Sequence, residues 1–154
     1  MTLQIRPASP DDAPEIGRLY QQSADYLRAL GDETDFQFGA EIFLRDGFGD
    51  NPAFSAIVAV EDEQILGYLI YQFTYDTDRA IRILYVLDLL VDSDVRGKGV
   101  GTALMNEANR IAQAKGTAEL QWAVYIHNQQ AMDFYRKWGG ELIEDILHMR
   151  RLVS

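Results

Sequence analysis

The stretch Asp92-Ser93-Asp94-Val95-Arg96-Gly97-Lys98-Gly99-Val100-Gly101-Thr102 joins an apolar segment to a segment of helical periodicity. Three of its residues are glycines at alternate positions, and glycine lets a backbone approach a ligand closely. Successive N–H groups of such a turn can converge on an anion, and the start of a helix adds roughly half a positive charge. Arg96 and Lys98 add two cations. The stretch therefore predicts a phosphate-binding loop between a strand and a helix.

The spacing of the glycines narrows the class of phosphate ligand. The loop lacks the G-x-x-x-x-G-K-[ST] pattern of nucleoside triphosphate sites, and it is not a G-x-G-x-x-G turn within a βαβ unit. What remains is Arg-x-x-Gly-x-Gly, which favours a pyrophosphate whose attached chain continues along the preceding strand. The alternative is a glycine-rich turn that merely joins the strand to the helix.

The segments around this loop predict an α/β fold, with helices on the faces of one mixed sheet. Val100, Leu104, Ala108 and Ile111 recur at helical spacing after the loop, and the apolar run before it is typical of an interior strand. Glu61-Asp62-Glu63 predicts the turn of a hairpin. In chain order the predicted elements are a strand near 3–5, helices over 10–30 and 41–45, strands over 54–60, 64–75 and 80–91, a helix over 99–115, a strand over 120–126, a helix over 128–137 and a strand over 142–153.

Composition limits the partners and the chemistry. The chain has 154 residues, which predicts a single domain over 1–154, and 14 basic against 24 acidic side chains give a net charge of −10. We therefore expect no nucleic acid partner, whereas a cationic amine would be attracted. Cysteine is absent, which excludes disulfides and covalent thiol catalysis. The two histidines lack carboxylates at metal-ligand spacing, so we expect no metal site.

The amino-terminal segment and the longest apolar run both argue against export and membrane insertion. MTLQIRPASP has no basic region followed by an apolar stretch, so it does not resemble a secretory signal. The run from Ile81 to Val91 is interrupted by Arg82 and Asp88. We expect a cytoplasmic protein with no membrane association.

A second motif strengthens the interpretation of the loop. Asn128-Gln129-Gln130-Ala131-Met132-Asp133-Phe134-Tyr135-Arg136-Lys137-Trp138-Gly139 fits the pattern N-x-x-A-x-x-F-Y-x-x-x-G. Together with Arg96-x-x-Gly99-x-Gly101, it makes the chain resemble the Gcn5-related N-acetyltransferase (GNAT) family. Within that family the sequence is most similar to the diamine (spermidine/spermine) acetyltransferase branch, although Leu87 stands where that branch has Glu, and Leu89 and Leu90 stand where it has aromatic residues.

The resemblance implies a mostly antiparallel central sheet, acetyl-CoA as the cofactor and a role for each matching residue. The backbone of Leu89, Leu90 and Val91 would pair with pantetheine. Asn128 would hold the cofactor arm, and Tyr135 would face the sulfur. The pyrophosphate would lie on the backbone of the remaining cofactor-binding residues, which are Arg96, Gly97, Lys98, Gly99, Val100, Gly101 and Thr102.

Two side chains are candidates for proton transfer. A tyrosine hydroxyl, with a pKa of about 10, stays protonated at neutral pH and can donate to a departing thiolate, so Tyr135 suits a general acid. Its alternative role is that of a core aromatic residue. Asp88 lies in an apolar run, where an unpaired carboxylate costs several kcal/mol. Strand alternation places it on the face of Leu90; it either accepts the proton of the amine or pairs structurally with Arg82, Arg79 or an arginine of the last strand.

The sequence thus predicts an N-acetyltransferase that moves acetyl directly to a primary amine in a ternary complex, because no cysteine can carry the group. The expected acceptor is a small cationic amine. The alternatives are a protein or peptide amino group as acceptor, a non-catalytic acyl-CoA-binding module, and an interaction protein in which the loop is incidental. The resemblance also implies a homodimer formed through the last strands. Apolar residues near the carboxyl end, such as Ile146, Leu147 and Met149, offer a surface for it, and the alternative is an edge strand that is satisfied within the chain.

Overall fold

The computed structural model describes residues 2–153. Five strands form one sheet in the order β1-β2-β3-β4-β5. The strands are β1 (Gln4–Pro7), β2 (Ser55–Glu61), β3 (Gln64–Asp76), β4 (Ile81–Val91) and β5 (Glu119–Trp122), and the helices are α1 (Ala13–Ala29), α2 (Ala40–Gly47), α3 (Val100–Ala114) and α4 (Gln129–Lys137). Short 3-10 turns precede α1 and follow β4.

The chain divides into two compact units, the first ending at Ala123 and the second beginning at Val124. The first unit contains the sheet and α1 to α3, and the second contains α4. The expectation of one domain over 1–154 stays a prediction.

The sheet is mixed and mostly antiparallel, as predicted. β1 to β4 pair antiparallel with their neighbours, and β5 runs parallel to β4. The predicted hairpin between β2 and β3 is confirmed: Asp62 and Glu63 take positive φ angles of 52° and 66° in its two-residue turn, the left-handed geometry that matches the twist of the flanking strands. β4 lies inside the sheet, between β3 and β5.

Helices cover both faces of the sheet around the end of β4. On one face, Ile16 and Leu19 of α1 and Phe43 of α2 pack with Tyr68 of β3 and Leu90 of β4. On the other face, α3 lies close to β3 at Gly67. A Cβ atom there would lie 2.6 Å from the carbonyl oxygen of Leu90, 3.2 Å from the Leu104 side chain and 3.2 Å from that of Val100. The strand end that leads into the glycine loop is thus held between two helical layers.

Two strand predictions are corrected by the structure. Residues 142–153 form no strand, and β5 ends at Trp122 instead of 126. Apolar composition predicted strands at both places, but a strand also needs a hydrogen-bonded neighbour. β5 pairs with β4 only up to Trp122. Beyond 142 the apolar side chains stay in solvent, with Leu147 90 % and Met149 95 % exposed.

The helix predictions are confirmed within a few residues. α1 follows a 3-10 turn over Pro10–Asp12 and stops before Gly31, which has a φ of 99°. The predicted short helix at 41–45 is α2, and those at 99–115 and 128–137 are α3 and α4. Within residues 2–153, no helix has the length and apolar character needed to cross a membrane.

Candidate active site

The glycine loop connects β4 to α3 through a chain reversal. The N–H of Asp92 still bonds to the carbonyl oxygen of Leu66 at 2.8 Å, which extends the contact with β3 by one residue. Gly97 and Gly99 then adopt φ angles of 81° and 85°, a conformation that other residues rarely take. An added Cβ at either position would meet nothing within 4 Å, so the glycines are required for their backbone angles and leave open space around the loop.

This open loop fits a diphosphate. The first N–H groups of a helix have no intrahelical acceptor, and those of α3 begin immediately after Gly99. Arg96 and Lys98 are both exposed beside them. The loop thus gathers backbone donors and cationic side chains, which is the donor set that a phosphate anion requires.

One edge of β4 is open where an extended chain would have to bind. The pairing with β5 covers only Ile83 to Val86, whereas the pairing with β3 continues to Val91. No strand of the described residues therefore pairs with residues 87–91 on the β5 side. The N–H of Leu89 bonds to the carboxylate of Asp88. The carbonyl oxygen of Leu89 and the backbone of Val91 remain for hydrogen bonds with an extended ligand that leads into the glycine loop.

A bulge shapes β4 next to Asp88. Asp88 lies opposite Ile70 and Val86 lies opposite Tyr71, so Leu87 has no partner in β3. Bulges of this kind bend a strand and redirect a side chain. The predicted sharing of a face by Asp88 and Leu90 is confirmed by their neighbours: Tyr68 packs with Leu90 in the core, and its hydroxyl donates to a carboxylate oxygen of Asp88 at 3.2 Å.

The environment of Asp88 sets its ionisation near neutrality. Loss of hydration raises the pKa of its carboxyl group from 3.8 to about 7, although hydrogen bonds from the Tyr68 hydroxyl and the Leu89 N–H act in the opposite direction. Burial also raises the pKa of Tyr68 well above 10, so its hydroxyl stays protonated and remains a donor. Asp88 can therefore both accept and release a proton near pH 7.

The structural alternative for Asp88 is an ion pair with Arg82, Arg79 or an arginine near the carboxyl end. Arg79 instead pairs with Asp76 at 2.7 Å and with Glu119 at 2.6 Å. In the part of the chain that the structure describes, no ion pair joins Asp88 to Arg79 or Arg82. Among the described residues, neutral donors hold the carboxylate, and neither of these two arginines pairs with it.

Two tyrosines near Asp88 were missed by sequence reasoning. Tyr68 lies in an apolar strand, and Tyr20 of α1 lies close enough for the charge of Asp88 to raise the pKa of its hydroxyl, a smaller effect than burial. Because a buried tyrosine usually needs a hydrogen-bond partner, a tyrosine within an apolar strand indicates that a polar group lies near it. The sequence did not show that this group is Asp88.

In the second unit, Asn128 lies at the start of α4 and Tyr135 lies within that helix. The side-chain oxygen of Asn128 accepts from the N–H of Ala131 at 3.2 Å and so caps the helix, a role that the preference of Asn for this position could have indicated. Tyr135 is half-buried and contacts Phe134 edge-on, with ring centres 5.3 Å apart. The cofactor roles assigned to both residues stay predictions.

Comparisons with known proteins identify the family and the fold of the chain. The model of the acetyltransferase (GNAT) family matches residues 16–140. The chain is 31 % identical over 147 residues to thialysine N-epsilon-acetyltransferase of Bos taurus, covering 90 % of this chain and 84 % of that protein. It is 34 % identical over 144 residues to the human spermidine/spermine N(1)-acetyltransferase-like protein 1, covering 89 % of this chain and 20 % of that protein. An integron cassette protein from the mobile metagenome of V. cholerae has the same fold, with a TM-score of 0.81, 23 % identity, and 100 % and 94 % of the two chains covered.

Proposed function

The chain belongs to the GNAT family of acetyltransferases and is an N-acetyltransferase, and from that premise we propose that it transfers acetyl from acetyl-CoA to a small cationic primary amine. The observation that carries the proposal is the open edge of β4 at residues 87–91, which runs directly into the glycine loop. An extended cofactor arm with a diphosphate at one end matches that sequence of features.

In this proposal, backbone groups of the chain form the binding site for acetyl-CoA, the acetyl donor. Leu89, Leu90 and Val91 offer strand hydrogen bonds to pantetheine, and the loop offers N–H groups to the diphosphate through Arg96, Gly97, Lys98, Gly99, Val100, Gly101 and Thr102. When bound, acetyl-CoA supplies a thioester carbonyl for attack by the amine. Because the chain has no cysteine, we propose direct transfer with both substrates bound.

Asp88 is proposed as the group that attracts the ammonium form of the acceptor and accepts its proton. A carboxyl group that titrates near neutrality is well matched to this task. The net charge of −10 favours a cationic acceptor over a neutral one. The names of two relatives, thialysine N-epsilon-acetyltransferase and spermidine/spermine N(1)-acetyltransferase-like protein 1, refer to the acetylation of small amines and support the same class.

The family motif implies a role for one tyrosine and one asparagine of the second unit, and we propose both roles on that resemblance alone. Tyr135 donates a proton to the departing thiolate. Its hydroxyl, with an ordinary pKa of about 10, is protonated at neutral pH and available as a donor, and a thiol with an ordinary pKa of about 8.5 is mostly protonated there as well, so the step ends in the neutral thiol once the tyrosine regains a proton from solvent. Asn128 keeps its side-chain nitrogen for the cofactor arm while its oxygen caps α4.

The test is turnover with a panel of acceptors. Thiol release from acetyl-CoA is measured with thialysine, spermidine, a neutral amino amide and a lysine-containing peptide, each with a no-amine blank. We expect release with the small cationic amines and initial-rate lines that intersect, as a ternary complex requires. Release with none of the amines, or parallel lines from an acetylated enzyme, would reject the proposal.

We also propose that the chain forms a homodimer through its carboxyl-terminal apolar residues. Leu147, Met149 and Leu152 are 90 %, 95 % and 85 % exposed, which is unusual for large apolar side chains in a stable surface. Sedimentation equilibrium should give twice the chain mass, and L147S/M149S should give the monomer mass. A monomeric parent protein would refute this assembly. The cytoplasmic location stays a prediction.

A further inference from the structure

Asp92, the first residue of the glycine loop, is a buried carboxylate that helix α1 binds. Asp92 is only 3 % exposed. One of its oxygens accepts from the guanidinium of Arg18 at 3.0 Å, and the other accepts from the N–H of Asp94 at 3.1 Å and from the amide nitrogen of Gln22 at a longer 3.5 Å. These donors keep the pKa of Asp92 below its ordinary value even though burial acts to raise it, so the group is charged.

Two more contacts extend this attachment along the loop. The side-chain oxygen of Gln22 accepts from the N–H of Ser93 at 3.2 Å. The guanidinium of Arg96 lies over the ring of Tyr26, 5.5 Å from its centre, within the range of a cation–π interaction. Arg18, Gln22 and Tyr26 are spaced four residues apart, so they lie on one face of α1 and contact the loop at successive turns.

The loop needs such support because its own structure is weakly held. Residues 93, 94 and 96–99 are exposed, and Gly97 and Gly99 have more conformational freedom in a mobile chain than any other residue type. An unsupported loop would have to be ordered when the diphosphate binds, at a cost in affinity. A charged Asp92 near an anion site also opposes binding, and Arg18 offsets that charge.

We propose that Arg18, Gln22 and Tyr26 are positioning residues that hold the diphosphate loop in its binding conformation before the cofactor arrives. The inference rests on the proposed function, since it assumes that the loop binds a diphosphate. None of the three residues needs to contact the cofactor. Their loss should weaken cofactor binding and leave the acceptor step unchanged.

The first test compares neighbouring glutamines of one helix. Gln22→Met removes both amide contacts to the loop, whereas Gln21→Met removes only an exposed contact with Asp25 at 3.0 Å. With coenzyme A as the probe in titration calorimetry, we expect Gln22→Met to raise the dissociation constant about tenfold, a size consistent with one or two lost hydrogen bonds. The KM of this variant for acetyl-CoA should rise in parallel, while its kcat and its KM for the amine stay at parental values. For the control Gln21→Met, we expect all of these constants to equal those of the parental protein.

The second test separates the ring of Tyr26 from its hydroxyl. Tyr26→Phe keeps the aromatic face under Arg96, and Tyr26→Leu removes it. We expect about a threefold rise in the dissociation constant of coenzyme A for Tyr26→Leu only, as the loss of an exposed cation–π contact implies. This pair also keeps the inference testable if Gln22→Met folds poorly, which thermal unfolding of each variant reports.

The outcomes separate the two levels of the proposal. If the parental protein binds no coenzyme A, the proposed function fails. If the parental protein binds it, and Gln22→Met matches Gln21→Met while Tyr26→Leu matches Tyr26→Phe, the positioning role is overturned. A fall in kcat and in amine affinity as large as the fall in cofactor affinity would also overturn it, because a general loss of structure would then explain the data.

Discussion

Asp88 combines an apolar setting with hydrogen bonds from neutral donors. Its carboxylate accepts hydrogen bonds from the Tyr68 hydroxyl, at 3.2 Å, and from the N–H of Leu89, and both bonds favour the charged form. Loss of hydration is the larger effect, because a charge in a poorly hydrated site lacks the many water dipoles that stabilise it in solution. The result is a pKa of about 7, at which a carboxyl group can act as a base toward a cationic substrate.

The pH dependence of turnover tests this role. Because the base must be ionised, kcat/KM should rise with pH along a limb centred near pH 7. Asp88→Asn keeps the shape and an acceptor for the Tyr68 hydroxyl but cannot take a proton. We expect a loss of about 100-fold in kcat/KM and disappearance of that limb, measured with the same amine for both proteins. Unchanged turnover and an unchanged profile would exclude Asp88 as the base.

The same group predicts a pH-dependent stability difference. A carboxyl group whose pKa is raised in the folded state does not change the free energy of unfolding below its unfolded pKa, because it is protonated in both states. As the pH rises toward 7, the group ionises in the unfolded chain before it ionises in the folded protein, so the fold loses stability. The change from 3.8 to about 7 sets an upper limit of ~4 kcal/mol, which residual hydration reduces. In urea unfolding, Asp88→Asn should match the parental protein at pH 4 more closely than at pH 8, where it should be the more stable of the two. A stability difference independent of pH would contradict the assigned pKa.

Single residues also show what the sequence alone reveals. The face of Asp88 followed from strand alternation, a local rule that the bulge at Leu87 does not upset. Its partner, Tyr68, was not predicted because the contact crosses from β4 to β3 and depends on their register. The support of the glycine loop by α1 was equally hidden, since Gln22 and Ser93 are separated by 71 residues in the chain.

At the scale of elements, the close approach of both β4 and α3 to position 67 of β3 explains why this residue is glycine. A Cβ atom at Gly67 would lie 2.6 Å from the carbonyl oxygen of Leu90, a backbone atom that cannot rotate away. The same Cβ would press on Val100, the first residue of α3 after the loop. Packing at this point thus fixes how closely β4 and α3, which flank the glycine loop, approach β3.

Gly67→Ala should therefore be destabilising, by about 1–3 kcal/mol as for other overpacked sites. The matched variant is Gly39→Ala, where φ is 176° and an added Cβ meets nothing within 4 Å. We expect Gly39→Ala to change the free energy of unfolding by less than about 1 kcal/mol, the usual value of a helix-capping preference. Equal effects of the two substitutions in urea unfolding would show that β4 and α3 do not restrict this position.

Elements defined by local signals were predictable, and those defined by distant partners were not. α3 has an apolar periodicity of its own and a left-handed glycine at its start, so its bounds followed from the sequence. The hairpin of β2 and β3 needs only its short turn. Residues 142–153 had the apolar content of a strand but show no neighbouring strand within the described residues, so composition there indicated a fold element that the structure lacks.

At the scale of the whole molecule, the relevant property is the net charge of −10. Many arginines are paired locally with carboxylates, as Arg28 is with Asp25 and Arg45 with Asp46, which leaves the acidic excess to set the long-range field. Such a field raises the encounter rate of cations and is screened by salt, with a Debye length of about 30 Å at 0.01 M and about 10 Å at 0.1 M.

Ionic strength should therefore change acceptor kinetics in proportion to acceptor charge. Between 0.01 and 0.3 M salt we expect kcat/KM for a dicationic amine to fall about threefold or more, and kcat/KM for a monocationic amine of equal length to fall less. The reason is that salt screens the attraction between the acidic protein and the amine, and this attraction increases with the charge of the amine. Sucrose at matched osmolality should leave both values unchanged. If the two amines respond equally, the acidic surface does not guide the acceptor, and recognition of the amine must come from groups within the site, among which we propose Asp88.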